Sequence, residues 1–456
     1  MPSWSKFLFK EIPIYPLVTF RMVFGFLMVT STSRFIYLGW IEDHFINTQF
    51  QFKYYGFDWV SLLPPFWMYS LHIIMLLAAV GVMLGFLYRL STILLFLSFT
   101  YTDLIDLTYY LNHYYFVSLV CLLMIFIPAH RFFSVDVKIW PRIKTEETTS
   151  WHIDILKFQI FVVYFFAGIA KINEDWLFNA LPMKIWLPAH DTVPILGSLF
   201  SQSWAPHVFS WFGMLYDTTI VFFLLNSRTR PLAYFGVIVF HLTVGILFQI
   251  GVFPMVMIGV TLIFFSPEWH KSIILIVKRF FKREEFSKLN KLTFQNSKVR
   301  TTNKGYWVSA LICVYITIQL LFPLRYIIYP GNMFWTEQGY RFSWRVMLME
   351  KAGTATFYVK DPVSGREGIV NNDDFLNPHQ EKQMAFQPDM ILQFAHFLGN
   401  HYQKLGEAPP EVRTEAWVTL NARPSQLIID PHIDLMKIED TWASKHWIIP
   451  VETHLK

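Results

Sequence analysis

The sequence has little cysteine and little charge for its length. Its 456 residues include two cysteines, Cys121 and Cys313, and both lie inside apolar runs. We therefore expect no disulfide framework, cysteine-based zinc site or thiolate nucleophile. Charged residues make up 16% of the chain, against 54% hydrophobic and 18% aromatic residues. This balance excludes an ordinary soluble protein and is typical of a membrane protein.

Familiar catalytic and binding motifs are also missing. The chain has no HExxH, CxxC, EF-hand pattern, Gly-rich phosphate loop or Ser-His-Asp order, so zinc, calcium, nucleotide and hydrolase chemistries lose support. The net charge is only +5, and basic residues stand in short blocks between apolar runs, which a nucleic-acid groove would not show. We expect neither a bound metal nor a nucleic acid partner. The lack of an Asn-x-Ser/Thr sequon favours a bacterial plasma membrane over the endoplasmic reticulum of a eukaryote.

Long apolar runs dominate the first two-thirds of the chain. A hydrocarbon core about 30 Å thick needs about 20 apolar residues per helix. Nine stretches qualify, near residues 15–36, 66–86, 88–105, 113–128, 154–172, 206–226, 231–250, 252–266 and 306–322. The first contains Arg21 and Arg34 and lacks a small-residue cleavage site, so we expect a membrane anchor rather than a signal peptide. The sequence thus predicts an α-helical polytopic membrane domain over residues 1–322, with about nine transmembrane helices.

The basic residues predict which side each loop occupies, because Lys and Arg in short loops are retained in the cytoplasm. They fall in every second loop, at Lys6, Lys10, Arg89, residues 131–144, Arg228, Arg230 and residues 271–304, which include Lys282 and Arg283. The N-terminus is therefore expected inside and everything after Pro323 on the non-cytoplasmic side. Residues 323–456 show strand-like alternation at Ala355–Lys360 and Trp417–Leu420 and a helical stretch near 388–404. They predict a small α+β domain.

Titratable side chains at membrane depth are costly unless they are paired or face a cavity, so each is a candidate for function. Lys171 ends the fifth span, His113 follows Asn112 at the start of the fourth, and His241 lies inside the seventh. Each residue also has a structural alternative. This is snorkelling to the lipid headgroups for Lys171, capping of a helix for His113, and a structural hydrogen bond for His241.

Two other charged residues inside the spans are expected to be structural. Asp217 in the sixth span and Arg21 in the first are predicted to form an ion pair. Asp103 and Asp106, at the end of the third span, are predicted to face water.

The alternating directions of the spans put Lys171, His113 and part of the His241 helix at a similar depth. They therefore predict a shared apolar cavity, which would suit a lipid-soluble substrate. Burial disfavours the ammonium form of a lysine, so Lys171 could act there as a general base. As a residue at a helix end, it is not expected to matter for folding.

In these positions the sequence resembles the vitamin K-dependent gamma-glutamyl carboxylase family and its bacterial relatives, the horizontally transferred transmembrane domain proteins. The matching motifs occur in order over residues 15 to 450, at Phe20–Val29, Tyr88-Arg89, Asn112-His113, Ser134–Asp136, Gln159–Trp176, His241, Phe265–Trp269, Tyr340–Trp344, Trp417-Val418 and Asp430-Pro431. Short motifs match by chance, but this many in register make a specific signal.

The resemblance implies a peptidyl-glutamate carboxylase with epoxidase activity. Reduced vitamin K, as phylloquinol or a menaquinol, is deprotonated by an enzyme amine and reacts with O2, and the strong base so formed removes a proton from the γ-carbon of a glutamate. The carbanion then takes up CO2, and the quinone leaves as its 2,3-epoxide. The implied partners are the lipid bilayer, a glutamate-containing peptide or protein, and a quinone reductase that recycles the cofactor.

The resemblance also implies roles for single residues. Lys171 matches the base, His113 the residue that assists the carbanion step, and Asn112 and His241 positions in the quinol pocket. The segment associated with the glutamate substrate is matched by Tyr340, Ser343 and Trp344.

The sequence departs from the animal enzymes directly before the base. Their second lysine is replaced here by Ala170, so Lys171 is expected to hold its proton more tightly. Two alternatives therefore stand beside the carboxylase. One is a quinol epoxidase without carboxylation, and the other is a non-catalytic membrane binding or assembly protein of the same fold.

Overall fold

The computed structural model describes residues 7–194, 197–248, 250–281, 304–404 and 408–452. Lys6 and most of the basic stretch between the eighth and ninth predicted spans, including Lys282 and Arg283, lie outside these residues. The described part is mostly helical, with a small sheet near its C-terminal end.

Ten helices of eight residues or more form the first part of the described chain, which we call the bundle. They are α1 (Tyr15–Tyr37), α2 (Pro65–Leu84), α3 (Tyr88–Ile105), α4 (Asn112–Phe126), α5 (Trp151–Ala170), α6 (Ala205–Leu225), α7 (Arg230–Phe248), α8 (Phe253–Val260), α9 (Pro267–Phe281) and α10 (Lys304–Leu321). Short helical turns lie at Glu42–Ile46, Leu107–Tyr109, Val135–Ile139, Pro141–Ile143, Glu174–Leu177, Met183–Trp186, Pro188–His190, Gly197–Phe200, Thr261–Phe264 and Phe322–Ile328. Strands β1 (Glu11–Pro13) and β2 (Glu147–Thr149) pair antiparallel.

The apolar helices indicate an integral membrane protein, but the predicted count of nine spans is not confirmed. In the described residues six helices are long and apolar enough to cross a membrane: α1, α2, α5, α6, α7 and the segment Gly305–Ile328. The eighth predicted span is instead part of a bent pair, Phe253–Phe264 and Pro267–Arg279, with an angle of 118° between them, and counting it as one span gives up to seven. Helix α4 is shorter, and α3 contains Arg89, Asp103 and several hydroxyl residues.

Helix α1 packs against α2, α8 and α9 in the middle of the bundle. At Gly25 the approach to α2 is so close that an added Cβ would lie 2.5 Å from the backbone nitrogen of Met83. Small residues at such crossings let two apolar helices make extensive van der Waals contact. The crossing brings the side chain of Arg21, one turn earlier in α1, to the end of α2.

Arg21 does not pair with Asp217, so this prediction was wrong. Its guanidinium donates to the carbonyl oxygens of Val82 at 3.0 Å, Met83 at 2.7 Å and Phe133 at 2.7 Å. Val82 and Met83 lie in the last turn of α2, whose carbonyls lack partners within the helix and carry the negative end of its dipole. Arg21 therefore caps α2, and the carbonyl dipoles of the main chain stabilise its positive charge.

The prediction that Asp106 faces water was also wrong. Asp106 is 1% exposed, and its carboxylate accepts hydrogen bonds from the backbone and hydroxyl groups of Thr108 and from the amide of Gln380 at 2.6 Å. Gln380 belongs to the part of the chain after the bundle. Asp106 thus joins the loop after α3 to the later part of the chain that contains Gln380, and its carboxylate is buried in this contact.

The C-terminal region, residues 329–452 where described, contains strands β3 (Lys351–Lys360), β4 (Glu367–Ile369), β5 (Glu411–Leu420) and β6 (Gln426–Leu427). They form one antiparallel sheet in the order β4-β3-β5-β6. The helices here are Met333–Thr336, Asn372–Asp374, α11 (Pro378–Met384), α12 (Pro388–Gln403) and Leu435–Lys437. The core between β3, β5 and α12 also includes Phe52 and Leu107 from bundle loops. The bundle and the C-terminal region therefore share a core.

Candidate active site

The candidate base lies where α5 meets α6. At Gly168 an added Cβ would lie 2.6 Å from the backbone nitrogen of Thr218, so only glycine allows this approach. Lys171, at the C-terminal end of α5, consequently reaches Asp217 of α6, and its Nζ donates to Oδ2 at 2.7 Å. Both side chains are 7% exposed. The cation that pairs with Asp217 is thus Lys171, not Arg21.

The remaining surroundings of Lys171 are mostly apolar. Its Nζ also donates to the carbonyl of Ala167 at 3.2 Å and lies 5.3 Å from the ring centre of Trp176. Trp176 is 1% exposed and is held by a 2.8 Å hydrogen bond from its indole nitrogen to the carbonyl of Ser210. Lys171 is therefore enclosed rather than extended to lipid headgroups.

Ala170, at the position of the second lysine in the animal enzymes, also faces this enclosed space. It is buried in one apolar cluster with Trp176, Leu177, Met214 and Leu348. A lysine here would place a second ammonium group within an apolar cluster. Lys171 is the one ammonium partner of Asp217 among the described residues.

His241 lies inside the bundle on α7 and is 4% exposed. Its Nε2 shares a 2.7 Å hydrogen bond with the hydroxyl of Tyr164, whereas its Nδ1 is buried without a partner among the described residues. The ring of Tyr164 in turn packs edge-on against Tyr216, the residue before Asp217. His241 thus has the structural hydrogen bond foreseen for it and keeps one free ring nitrogen.

His113 stands at the first turn of α4, and its ring stacks on Phe253 at 4.7 Å between centroids. The ring nitrogens make no hydrogen bond with the residues that the structure describes. Phe253 also contacts His241 edge-on at 6.2 Å. One phenyl ring therefore separates the two histidines.

Four of the predicted site residues line one cavity of about 180 Å³: Asn112, His113, Tyr340 and Trp344. Phe116, Val163 and Phe253 provide much of its apolar wall, and Arg345 lies on its edge. Neither Lys171 nor His241 lines this cavity. The predicted shared cavity is therefore replaced by a row of contacts that leads from Lys171 and Asp217 through Tyr216, Tyr164, His241 and Phe253 to His113.

The segment of Tyr340, Ser343 and Trp344 enters the cavity through an irregular turn. Phe342 and Trp344 both have positive φ, at 58° and 60°. The hydroxyl of Ser343 donates to the carbonyl of Tyr340, so Ser343 closes the turn instead of lining the cavity. The ring of Trp344 is fully buried, stacks on Tyr115 at 4.8 Å, and leaves its indole nitrogen without a partner among the described residues.

Asn112 joins this segment to α4. Its amide nitrogen donates to the carbonyl of Arg345 at 2.8 Å, and its oxygen accepts from the hydroxyl of Tyr110 at 3.0 Å. The same hydroxyl accepts from the backbone nitrogen of Phe342 at 2.6 Å. Asn112 and Tyr110 therefore hold the turn against the bundle.

A second cavity of about 1250 Å³ lies on the other side of His113, between the bundle and the C-terminal region. It shares Tyr110, Leu111, His113 and Ile250 with the smaller one. Four stacked rings form part of its wall, in the order Trp40, His44, Tyr109 and His379. Burial and the charge of His379 lower the pKa of His44 to about 4, so His44 is neutral near pH 7. The volume of this second cavity exceeds the range of about 300–1,000 Å³ that is usual for small-ligand pockets.

The C-terminal region also holds the loop that follows Lys171. Arg423 donates to both carboxylate oxygens of Asp175 at 2.8 Å, and Asn421 donates to the same carboxylate at 2.9 Å. Burial alone would raise the pKa of Asp175, but these hydrogen bonds outweigh it and hold the pKa below its ordinary value. Asp175 precedes Trp176, so this contact fixes the ring beside Lys171. The sequence carried no signal for it, because the residues lie far apart in the chain.

Comparison with known proteins finds two family matches along the chain. Residues 9–269, more than half of the chain, match the HTTM domain family, and residues 304–454 match the vitamin K-dependent gamma-carboxylase lumenal domain. The first match defines a class of membrane-embedded helical domains. Together with the second it specifies the group: the chain belongs to the vitamin K-dependent gamma-carboxylase family. The resemblance seen in the sequence is thus confirmed. No solved structure matched the chain.

Proposed function

We propose that this protein is an integral membrane enzyme that carboxylates the γ-carbon of glutamate residues in a peptide, with reduced vitamin K as cofactor and O2 and CO2 as co-substrates. The observation that carries the proposal is the cavity beside His113. It lies where the two matched regions meet, and its wall combines Asn112 and His113 from the bundle with Tyr340 and Trp344 from the C-terminal region.

The side chains around His113 fit a naphthoquinol. Phe253, Phe116 and Val163 offer apolar surface for its rings, and Asn112 and His113 are polar residues of the same wall. The larger adjoining cavity has room for a long apolar chain. When bound, reduced vitamin K would supply, through its reaction with oxygen, the base that is strong enough to remove the γ-proton. We assign Asn112 and His113 to the wall of its pocket and His241 to a position behind Phe253, which contacts both histidines.

Lys171 has the role of proton acceptor in this proposal, and Asp217 makes that role chemically possible. A lysine must be neutral before it can take a proton, and the carboxylate at 2.7 Å is a ready acceptor for the proton that the ammonium carries. When reduced vitamin K is bound, the neutral amine would be the final acceptor for the proton of its hydroxyl, across the row of contacts that separates Lys171 from the cavity. The transfer within the pair conserves charge, because ammonium and carboxylate become amine and carboxylic acid.

His113 has the role of assisting the step at the glutamate carbon. Its ring is fixed by stacking on Phe253, and its nitrogens make no hydrogen bond with the described residues. His113 also lines both cavities. Tyr340 and Trp344 position the glutamate from the opposite wall, and Ser343 acts on them through the turn that it closes.

The location and partners belong to the same proposal. The N-terminus is in the cytoplasm, the domain division falls between residues 322 and 323, and the peptide reaches the C-terminal domain from the non-cytoplasmic side. A bacterial plasma membrane is favoured over the endoplasmic reticulum. A quinone reductase returns the epoxide product to the quinol.

The deciding experiment uses the purified protein in lipid vesicles with vitamin K hydroquinone, labelled CO2 and a glutamyl peptide. We expect label in the peptide and quinone epoxide in the lipid. Lys171→Ala should abolish both products, whereas Lys184→Ala, which removes an exposed lysine from the same loop region, should abolish neither. A folded protein that forms neither product under these conditions would sink the proposal and leave the non-catalytic alternative.

Ala170 is the reason to measure the two products separately. With one ammonium in place of two, Lys171 is expected to hold its proton more tightly. Epoxide without label in the peptide would select quinol oxygenation alone as the activity. Restoring a lysine with Ala170→Lys is the matched test of whether this position limits carboxylation.

A further inference from the structure

Two arginines four residues apart have very different surroundings. Arg341 donates to Asp389 and Gln387 and lies 3.9 Å from Glu337. Burial alone would lower its pKa, but the charge of Asp389 outweighs burial and raises the pKa of Arg341 above its ordinary value. Arg341 is thus fully compensated within the C-terminal region.

Arg345 has no such compensation. It is 7% exposed, and no carboxylate lies within ion-pair distance of it among the described residues. Its Nε is buried without a hydrogen-bond partner there. The guanidinium carbon lies 4.2 Å from the ring centre of Tyr326 and 5.9 Å from that of Phe334. Burial accordingly lowers the pKa of Arg345, and the charge of Tyr326 and a hydrogen bond with its side chain oppose the shift.

Burying a guanidinium without an anion is costly, because the cation loses its hydration. A cation over an aromatic face recovers only part of that cost. Arginine stays protonated even when its pKa falls, so Arg345 cannot escape the cost by becoming neutral. Arg21 meets the same cost with three main-chain carbonyls, but no such hydrogen bond of the Arg345 guanidinium occurs among the described residues, so Arg345 would gain most from an anionic ligand.

The position of Arg345 indicates which anion this is. Its neighbours along the wall of the small cavity include His113, Asn112 and Tyr340, and it is the only Lys or Arg among the described residues that line this cavity. The bond from Asn112 to its carbonyl fixes its backbone at the cavity edge. Lys351, the next cation in the chain, is already paired with Glu337 at 2.9 Å. Arg345 is therefore the one cationic residue, among the described residues that line this cavity, that an anionic ligand could recruit.

We propose that Arg345 recognises the γ-carboxylate of the substrate glutamate and holds it beside His113. The planar fork of a guanidinium binds both oxygens of a carboxylate at once, which fixes direction as well as charge. The γ-carbon is the next atom along that side chain. An anchored carboxylate therefore limits where the reacting carbon can lie. This inference rests on the proposed function and names the residue that selects glutamate over glutamine.

Binding tests this directly, without quinol, O2 or CO2. Fluorescence anisotropy would compare a labelled pentapeptide with one glutamate and the same peptide with glutamine, on the full chain in nanodiscs. We expect the wild-type protein to bind the glutamate peptide at least about tenfold more tightly, since a hydrogen bond to a charged group is worth about 1.5–3 kcal/mol. Arg345→Gln should remove this preference, and Arg345→Lys should keep part of it. Arg366→Gln removes an exposed arginine of the same region and should change nothing.

An Arg345→Gln protein that still prefers the glutamate peptide would overturn the inference, and so would a wild-type protein with no preference. The test on the wild-type protein needs no variant, so the inference can be overturned even when Arg345→Gln does not fold. A clear preference in a protein that fixes no CO2 supports the role of Arg345 and rejects the carboxylase proposal. Carboxylation by Arg345→Gln with an unchanged KM for the peptide supports the carboxylase proposal and rejects the role of Arg345.

Discussion

Lys171 and Asp217 form a buried ion pair with 2.7 Å between Nζ and Oδ2, on two helices that touch at Gly168. A lysine at a helix end was expected to be dispensable for folding, and the pair changes that expectation. Each partner offsets the cost of burying the other, and removing either leaves a charge in an apolar environment.

Lys171→Ala should therefore lower stability as well as activity. We expect a loss of about 3–5 kcal/mol in the free energy of unfolding, the usual result of leaving one buried charge unpaired. Thermal unfolding in detergent or nanodiscs measures it. The double variant Lys171→Met/Asp217→Leu should recover most of the stability while staying inactive. Equal melting temperatures for wild type and Lys171→Ala would show that the pair contributes nothing.

Asp217→Asn should reduce the rate with little effect on quinol or peptide binding. An amide cannot accept the proton of Lys171, and loss of one proton-transfer group usually costs about 10²–10⁴-fold in rate. Asp217→Glu should restore part of the rate, and its pH profile should differ from that of the wild type because the carboxylate is moved. Asp191→Asn, at an exposed position, is the control. An unchanged kcat in Asp217→Asn would remove Asp217 from the proposed mechanism.

Arg423→Ala should loosen the loop that carries Trp176. The substitution removes two hydrogen bonds to the carboxylate of Asp175, and each bond to a charged group is worth about 1.5–3 kcal/mol. We expect faster amide hydrogen exchange in residues 172–190 and a lower kcat. Arg413→Ala breaks a more exposed ion pair with Glu367 and should leave that loop unchanged. Wild-type exchange rates in Arg423→Ala would contradict this prediction.

Acid should weaken the C-terminal region through Asp389. Burial alone would raise the pKa of Asp389, but the charges of Arg341 and Lys445 and its hydrogen bonds outweigh burial and hold the pKa below its ordinary value. Its contribution to stability is therefore complete above the unfolded pKa of about 3.9 and is lost as the pH falls from there toward the lowered folded value. Asp389→Asn should melt at a lower temperature at pH 7 and lose less stability than wild type between pH 5 and pH 3. Parallel curves for the two proteins would rule out this role.

Much of the fold could be predicted from local patterns. Apolar runs located the long helices, and the alternation at Ala355–Lys360 and Trp417–Leu420 fell within β3 and β5. The eighth predicted span is not confirmed, because its residues belong to a bent pair in which Pro267 begins a second helix at 118° to the first. A proline that follows a short apolar run was the available signal.

The pairing of charges could not be predicted in the same way. Periodicity shows which face of a helix is apolar, but it does not show which helices are neighbours. Arg21 was assigned to Asp217 because both are charged residues in spans, whereas its true partners are main-chain carbonyls, which leave no trace in the sequence. The isolation of Arg345 is likewise visible only once its neighbours in space are known. The assigned roles of Lys171 and His113 came from the resemblance and remain predictions.

The contact between Asp175 and Arg423 also constrains how this protein can be recombined with its relatives. The two matched regions resemble interchangeable modules when seen along the chain, yet the carboxylate is in one and the guanidinium in the other. A chimera that takes its membrane half from one relative and its C-terminal half from another keeps this contact only when it contains both the aspartate and the arginine. We therefore expect substitutions at 175 and 423 to be tolerated together and rejected singly, which makes the pair a marker of compatible halves.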